Sequence, residues 1–489
     1  MSDALIGLRP QTLWGLFAQI VGIPHGSKHE TLLATHLRQV AGDAGFTVVQ
    51  DEAGNMGITV PATKGYEHSP TVVLQGHLDM VCEKNEDVEF DFARDAIRVV
   101  RGGDWIKAQG TTLGADNGIG VAAAFAVALS DDFVHGPLEI LLTVDEETGL
   151  NGATRLSPSL VTGRILLNLD SEKAHTVCIG CAGGGGVTTQ LPLDWTEVPQ
   201  GAVGVQLKLT GLRGGHSGLD IHENRANAIK LMSRSLSALK GLEIALADFR
   251  GGDKHNAIPR EAIAVVALPI GNVSQLHSMV SDLHKSFQVE FPHEREMQSI
   301  VTPATLPPQV VGKKSFETLV TMLLAFSNGV LAMSQEMPGL VETSTNLATA
   351  HLKDGVFTVH NSSRSSVPQA LKATMDQVVA VAQLAGATHR VVEPYPGWRP
   401  NTDSKLLHIV ENVYQELFGR RPTREATHAG LECGVIGKKL GTMDMISIGP
   451  DIVNAHSPQE AVSVISVEKF WRLLTAVLAR IAQGSTTEA

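Results

Sequence analysis

Up to residue 198, the apolar positions follow two alternating spacings. Residues 11–22 and 29–45 repeat them every three to four positions, which predicts amphipathic helices. The stretches TVVLQG (71–76), LEILLTV (138–144) and ILLNLD (165–170) are instead short, nearly continuous apolar runs. Such runs predict strands buried on both faces. Between the first two, the small-residue run GIGVAAAFAVALS predicts a helix. Strands separated by helices imply an α/β fold, a mostly parallel sheet with helices on both faces. In such sheets, sites form at the carboxyl ends of the strands.

The pattern loosens after that. AVGVQLKLTGL and AIAVVALPIG predict strands, interleaved with the helical RANAIKLMSRSLSAL and VSQLHSMVSDLHKSF. A similar order recurs in SFETLVTMLLAFS (helix), LATAHLKDGVFTVHNSS (strand), QALKATMDQVVAVAQLAG (helix) and HRVVEP. This reads as an inserted α+β lid, itself doubled. The Pro-rich EPYPGWRPN (393–401) predicts a linker, after which SKLLHIVENVYQELF and MISIGP return to helix and strand. The predicted division is therefore a catalytic domain in two segments, 1–198 and 398–489, interrupted by a lid or dimerisation domain over 199–397.

Composition narrows the function classes. At 489 residues, two or more domains are expected. A formal net charge of -12 disfavours nucleic acid as a partner, since phosphate binding needs clustered Lys and Arg. The longest alanine-rich run is too short for a membrane span, and Asp3 with no basic n-region argues against a signal peptide. A cytoplasmic protein that engages neither membrane nor nucleic acid is the economical expectation. Four cysteines do not make a disulfide framework, and Cys178 and Cys181 run into four glycines rather than a helix, so that CxxC reads as structural. The glycine run lacks both the GK[ST] of a P-loop and the spacing of a dinucleotide site.

The strand ends carry the chemistry. The first predicted strand closes on GHLD, with His77 and Asp79 on one side of an extended chain. That pair suits a salt bridge, or a metal ligand with an orienting carboxylate. The second strand ends at Asp145, Glu146 and Glu147, and the third at Asp170. Asp116 sits in a glycine-rich turn opening a helix, and His456 follows the last strand. Alone, each has an ordinary reading: Asp116 a helix cap, Glu146 and Glu147 a solvated turn, His456 a surface histidine. Taken together, adjacent acids at the ends of buried strands are costly without a cation or base. Mixed His and carboxylate donors suit zinc and related divalent ions, and five of them exceed what one tetrahedral ion requires. Two metals sharing a carboxylate is the natural reading.

The motifs GHLDMV, GTTLGADNGIG, DEETGLNGA, NLDSE, GGHSG, NAIPREA, RSS and HAGLECG…DMISIGP…HSP resemble the co-catalytic zinc aminoacylase and carboxypeptidase family, in order, over nearly the whole chain. The resemblance implies two zinc ions per chain, with cobalt or manganese as substitutes. His77, Asp116, Glu147, Asp170 and His456 would hold them, Asp116 bridging. It implies Glu146 as general base, a metal-bridging water as nucleophile, and Asp79 as the carboxylate orienting the His77 ring. His216 would support the oxyanion, while Asn256 and Arg364 would bind the free carboxylate of a small dipeptide, preferentially Xaa-His such as β-alanyl-histidine. In single-lid relatives the equivalent of His216 comes from a neighbouring subunit; a doubled lid would let it act within its own chain, and a homodimer is admitted. A hinged lid carrying such groups suits closure around a short substrate. Alternatives on the same metal centre are a tripeptidase, deacylase or desuccinylase, and, outside catalysis, a binding protein of the same fold. No GxSxG nucleophile elbow is present, which argues against a serine hydrolase.

Overall fold

The apolar runs become the middle of an eight-stranded sheet in the computed structural model, which describes residues 3–484. Four strands lie side by side in the order Leu138–Thr143, Val72–His77, Ile165–Asn168 and Asp444–Ser447, each parallel to its neighbour. Thr47–Gln50 and Met56–Val60 extend one margin antiparallel, while Thr176–Cys181 and Thr423–Thr427 form the other. Every residue of Val72–His77 and Leu138–Thr143 is buried. Both faces are therefore covered, which is why these strands read as continuous rather than alternating. One covering helix, Ala115–Ala128, packs on Val72–His77 and on the helix Gln11–Ile20.

Element ends matter here because they carry the acids. The strand expected over 165–170 stops at Asn168, which leaves Asp170 beyond the sheet. The helix expected from Gly118 begins at Ala115, with Asp116 and Asn117 non-helical inside its first turn and a cis bond between them. The helix expected over 29–45 is Thr31–Asp43. A small four-stranded sheet joins Val99–Gly102 and Trp105–Ala108 to the late hairpin of Ile452–Val453 and Ala461–Ser463.

This first unit comprises the chain up to Gly180, Trp398–Ala426 and everything after Gly430. Residues 485–489 of the predicted last segment lie outside the described residues. The second unit is Cys181–Gly397 with Thr427–Gly430. It therefore begins well before the expected residue 199. The reason is the strand Gly183–Pro192, which pairs with Val356–Ser365 and Thr388–Tyr395. Its glycines serve close approach: a Cβ at Gly184 would stand 2.4 Å from the Tyr395 hydroxyl. Cys178 and Cys181 are buried in the neighbouring strand Thr176–Cys181.

The second unit holds a nine-stranded sheet that resolves into two lobes. Ala202–Thr210, the helix Ala228–Ala238, Ala245–Gly251, Ala262–Pro269, the helix Val273–Glu290 and Gln298–Ala304 make one β-α-β-β-α-β unit. Gly183–Pro192, the helix Lys313–Ala325, Val341–Lys353, Val356–Ser365, the helix Pro368–Leu384 and Thr388–Tyr395 make the other. In both, the sheet order by position in the unit is fourth, first, third, second, and the two second strands pair at Arg250 and Gly251 with His351 and Ala350. Phe249, Phe287, Leu347 and Phe357 lie in one shared core.

Candidate metal centre

The carboxyl ends of the parallel strands bring the expected side chains of the first unit together. His77 closes its strand, nearly fully buried, and directs Nε2 to within 3.1 Å of Asp116 Oδ1 and 3.4 Å of Asp170 Oδ1. The other Asp116 oxygen, Oδ2, lies 3.1 Å from His456 Nε2, which in turn lies 3.0 Å from Glu147 Oε1. Two ligand groups result, His77–Asp116–Asp170 and Asp116–Glu147–His456, each with its donor atoms within 4.8 Å of one another. Asp116 belongs to both. Its side chain does not cap its own helix; the cap position is Gly114, which has no side chain to offer. A third group, His77–Glu146–Glu147, sets Glu146 against the same centre.

Close packing of the helix on the strand makes this reach feasible. A Cβ at Gly76 would come within 2.3 Å of Asn117 Oδ1. Only glycine lets the backbone of the Ala115–Ala128 helix settle beside His77. Asn117 donates to the Leu169 carbonyl at 2.9 Å and so ties the Asp116 turn to the Asp170 loop.

Asp79 works on more than the histidine. His77 Nδ1 meets the Asp79 backbone carbonyl at 2.9 Å, closer than the Asp79 carboxylate at 3.5 Å. The carboxylate accepts the N–H groups of Glu146 and Glu147 at 2.9 and 3.2 Å and the Ser27 hydroxyl at 2.8 Å. Burial opposes its charge, but His77, the Glu146 N–H and Ser27 outweigh that and hold its pKa at about 2.

The centre's electrostatics follow from many acids in little water. Burial first, then Asp170, Glu432 and Glu147, push the Glu146 carboxyl well above the usual range. Burial and the carboxylates of Asp116 and Glu147 raise Asp170 to about 6 despite the favourable His77. The carboxylates of Asp116 and Glu147, 3.1 and 3.0 Å from its Nε2, raise His456 to about 11. Burial opposes a proton on His77, yet Asp170, Asp116 and Asp79 together raise its pKa well above normal. These are the shifts the side chains impose on one another, and a divalent cation among them reverses each.

The donor set fits such cations. Glu147 Oε1 and Asp170 Oδ1 are buried and accept no hydrogen bond among the described residues. Buried carboxylate oxygens aimed at shared points, and faced there by histidine ring nitrogens, are what divalent ions require. Three further polar residues support the floor. Gln75 donates to Glu432 Oε2 at 2.6 Å, Thr143 donates to the same oxygen at 2.6 Å, and Asn168 donates to Gln75 at 2.6 Å. Glu432 escaped the sequence reading: HAGLECG was noted as a motif, but nothing in its spacing singles out the Glu.

The second unit gathers another set of expected residues. A Cβ at Gly218 would lie 3.1 Å from both His216 Cε1 and Arg364 Nε, so the two side chains are close. His216 Nδ1 accepts the N–H groups of Gly218 and Leu219 at 3.2 and 3.0 Å. Arg364 is buried, donates to the Tyr395 hydroxyl at 3.0 Å, and keeps Nε without a partner among the described residues. His428 joins them, bonded to Ser344 at 2.7 Å, with its pKa lowered to about 3 by burial and by Arg364. Sequence reasoning missed His428 because nothing near it in the chain names a partner. Asn256 offers its backbone carbonyl to Ser217 N–H at 2.8 Å.

Comparisons with known proteins identify the family. The chain is 42% identical over 476 residues to the cytosol non-specific dipeptidase of Escherichia coli K12, covering 97% of this chain and 98% of that one. It is similar to the crystal structure of aminoacylhistidine dipeptidase from Vibrio alginolyticus, with TM-score 0.90, 41% identity and 97% of both chains covered. A Staphylococcus aureus tripeptidase shares the fold at TM-score 0.57 and 16% identity, over 97% of this chain and 99% of that one. Within the wider family, the sequence motifs point to the same aminoacyl-histidine dipeptidase branch. The model of peptidase family M20/M25/M40 matches residues 73–483, and the chain belongs to that family.

Proposed function

We propose that this peptidase is a dinuclear metal dipeptidase that hydrolyses Xaa-His dipeptides such as β-alanyl-histidine. The observation that carries the reading is Asp116, whose two oxygens face the histidines of two separate ligand groups. His77 and Asp170 would hold one ion, Glu147 and His456 the other, and Asp116 both; zinc suits these donors, with cobalt or manganese as substitutes. When bound, two such ions would polarise the peptide carbonyl and lower the pKa of water.

The chain's own groups supply the rest. Glu146, set against the same centre as His77 and Glu147, is placed to take a proton from water as the C–O bond forms and to give it to the leaving amine as the C–N bond breaks. Asp79 fixes the Glu146 and Glu147 backbone and, through its own carbonyl, the His77 ring. His216 accepts N–H groups at Nδ1, so its neutral ring carries the proton on Nε2 and can donate it to a developing oxyanion. Burial and Arg364 lower its pKa, which keeps that neutral form. Arg364 would take the substrate carboxylate in a paired fork, with Asn256 assisting.

The name of the Vibrio relative supports the Xaa-His preference, and that of the Escherichia coli relative supports a broader dipeptide range and a cytosolic location. Among the described residues, no helix is long and apolar enough to cross a membrane. Histidine release from β-alanyl-histidine by the purified protein tests the reading. Activity lost on chelation and regained with zinc is expected. A protein that holds two metals and releases no histidine would remove the Xaa-His assignment and move the search to other dipeptides, tripeptides and acylated amino acids.

A further inference from the structure

Glu460 has no role in the chemistry above, yet it makes an unusual set of contacts. Its side chain is almost wholly buried. Oε2 accepts the N–H groups of Leu113 and Gly114 at 2.7 and 3.0 Å, and Oε1 those of Ala115 and Asp116 at 2.8 and 3.2 Å. One carboxylate thus takes four consecutive backbone donors, the whole turn that delivers Asp116.

A helix start normally finds its acceptor in its own cap side chain. Here the cap position is Gly114, in left-handed backbone, and the acceptor comes from more than 340 residues later in the chain. Glu460 lies four residues after His456, in a loop where Asn454 and His456 both have positive φ. Its N–H closes that loop on the Ser457 carbonyl at 2.9 Å. The negative charge beside another acid is tolerable because four N–H groups and a helix N-terminus meet it.

We infer that Glu460 is a positioning residue that clamps the Asp116 turn to the His456 loop and so sets the spacing of the two ligand groups before any ion arrives. This rests on the dinuclear reading above. The hairpin of Ile452–Val453 and Ala461–Ser463 stays paired to Trp105–Ala108 without the carboxylate, so the loop remains roughly in place when the clamp is cut. What is lost is the fixed distance from Asp116 to His456. Glutamine at 460 would turn an NH2 group toward two of the four donors and lose both of those bonds.

Two measurements test this. Metal retained per chain is followed for wild type and Glu460→Gln during dialysis against graded chelator. The variant should bind metal at least roughly tenfold more weakly while its chelated form still unfolds in one cooperative transition, at a lower temperature than wild type. Hydrogen exchange is then followed on the chelated wild-type protein, where the amides of residues 113–116 should already be protected, and in the variant should exchange faster. Wild type binding two metals with a variant that binds as tightly overturns the clamp alone. Wild type binding no metal overturns the dinuclear reading instead. Should the variant fail to fold, fast exchange at residues 113–116 in chelated wild type still overturns the clamp, and protection there supports it.

Discussion

Replacing Asp79 by Asn separates two roles that one carboxylate could play. If the carboxylate orients His77, the variant should lose metal. If it holds the Glu146–Glu147 backbone, the variant should keep metal and lose turnover. The distances favour the second. His77 Nδ1 keeps the Asp79 carbonyl at 2.9 Å whatever the side chain, and the carboxylate stands 3.5 Å away. The Glu146 and Glu147 N–H groups, at 2.9 and 3.2 Å, depend on the two carboxylate oxygens. Asparagine keeps one oxygen and turns an NH2 toward the other donor, so one charge-assisted bond is lost. Such a bond is worth about 1.5–3 kcal/mol. If the displaced Glu146 transmits that loss to the transition state, kcat falls roughly 10- to 150-fold. Steady-state hydrolysis of β-alanyl-histidine with metal content measured on the same sample is the assay. Unchanged kcat, or metal lost under conditions where wild type retains it, would refute the backbone role.

Glu146→Gln should retain its metals and lose roughly 10²- to 10⁴-fold in kcat, the usual contribution of a positioned acid–base group; normal turnover with intact metal would remove Glu146 from that role. Arg364→Lys should raise KM for dipeptides by roughly tenfold or more, since an ammonium cannot form the paired fork, and an unchanged KM would place carboxylate binding elsewhere. His428 is held near 3 in the folded state against 6.5 for the free side chain, by burial and then Arg364. A lowered histidine pKa means the unfolded chain binds the extra proton, so this stabilisation is complete above about pH 6.5 and is lost as pH falls toward 3. NMR should find the His428 ring still neutral at pH 5, and a midpoint near 6 would refute its burial beside Arg364. If the doubled lid lets His216 serve its own chain, mixing inactive Glu146→Ala with inactive His216→Ala protein should restore no activity; recovered activity would mean that subunits share the site.

The centre of the fold was legible because burial on both faces leaves a simple trace in sequence. TVVLQG, LEILLTV and ILLNLD are short apolar runs, and each became a strand of the parallel core. The candidate ligands His77, Glu147 and Asp170 were legible because they lie at or just after the ends of such strands. The boundary near 199 was not. Gly183–Pro192 belongs to the second unit through strands that follow it by more than 160 residues, and glycines that let Tyr395 approach look in sequence like a flexible loop. Glu432, Glu460 and His428 were hidden for the same reason. Each is defined by partners distant in the chain: Glu432 by Gln75 and Thr143, Glu460 by Leu113 to Asp116, His428 by Ser344.

The acids around the centre can be sorted by what answers their charge, and the sorting separates ligands from supports without reference to sequence motifs. Glu460 has four backbone donors, and Asp79 has two with a hydroxyl. Asp145, beside Glu146, accepts from Thr148 and Asn151 and turns away. These acids are satisfied by the chain and have little left for a cation. Asp116, Glu147 and Asp170 meet chiefly the two histidines, and two of their oxygens are buried without a hydrogen bond among the described residues. Glu432 is mixed: Gln75 and Thr143 take one oxygen, and among the described residues the other has no partner and Glu432 falls outside the ligand groups. A cation pair would sit where the unanswered oxygens converge, and the answered acids would hold the loops that bring them there. On this division, neutralising Glu460, which joins two ligand-bearing loops, loosens metal through geometry and neutralising a ligand removes a donor outright. Glu460→Gln should therefore bind two ions weakly, whereas Asp170→Asn should bind one ion well and the other poorly. Equal, full binding of both ions by Asp170→Asn would break the division.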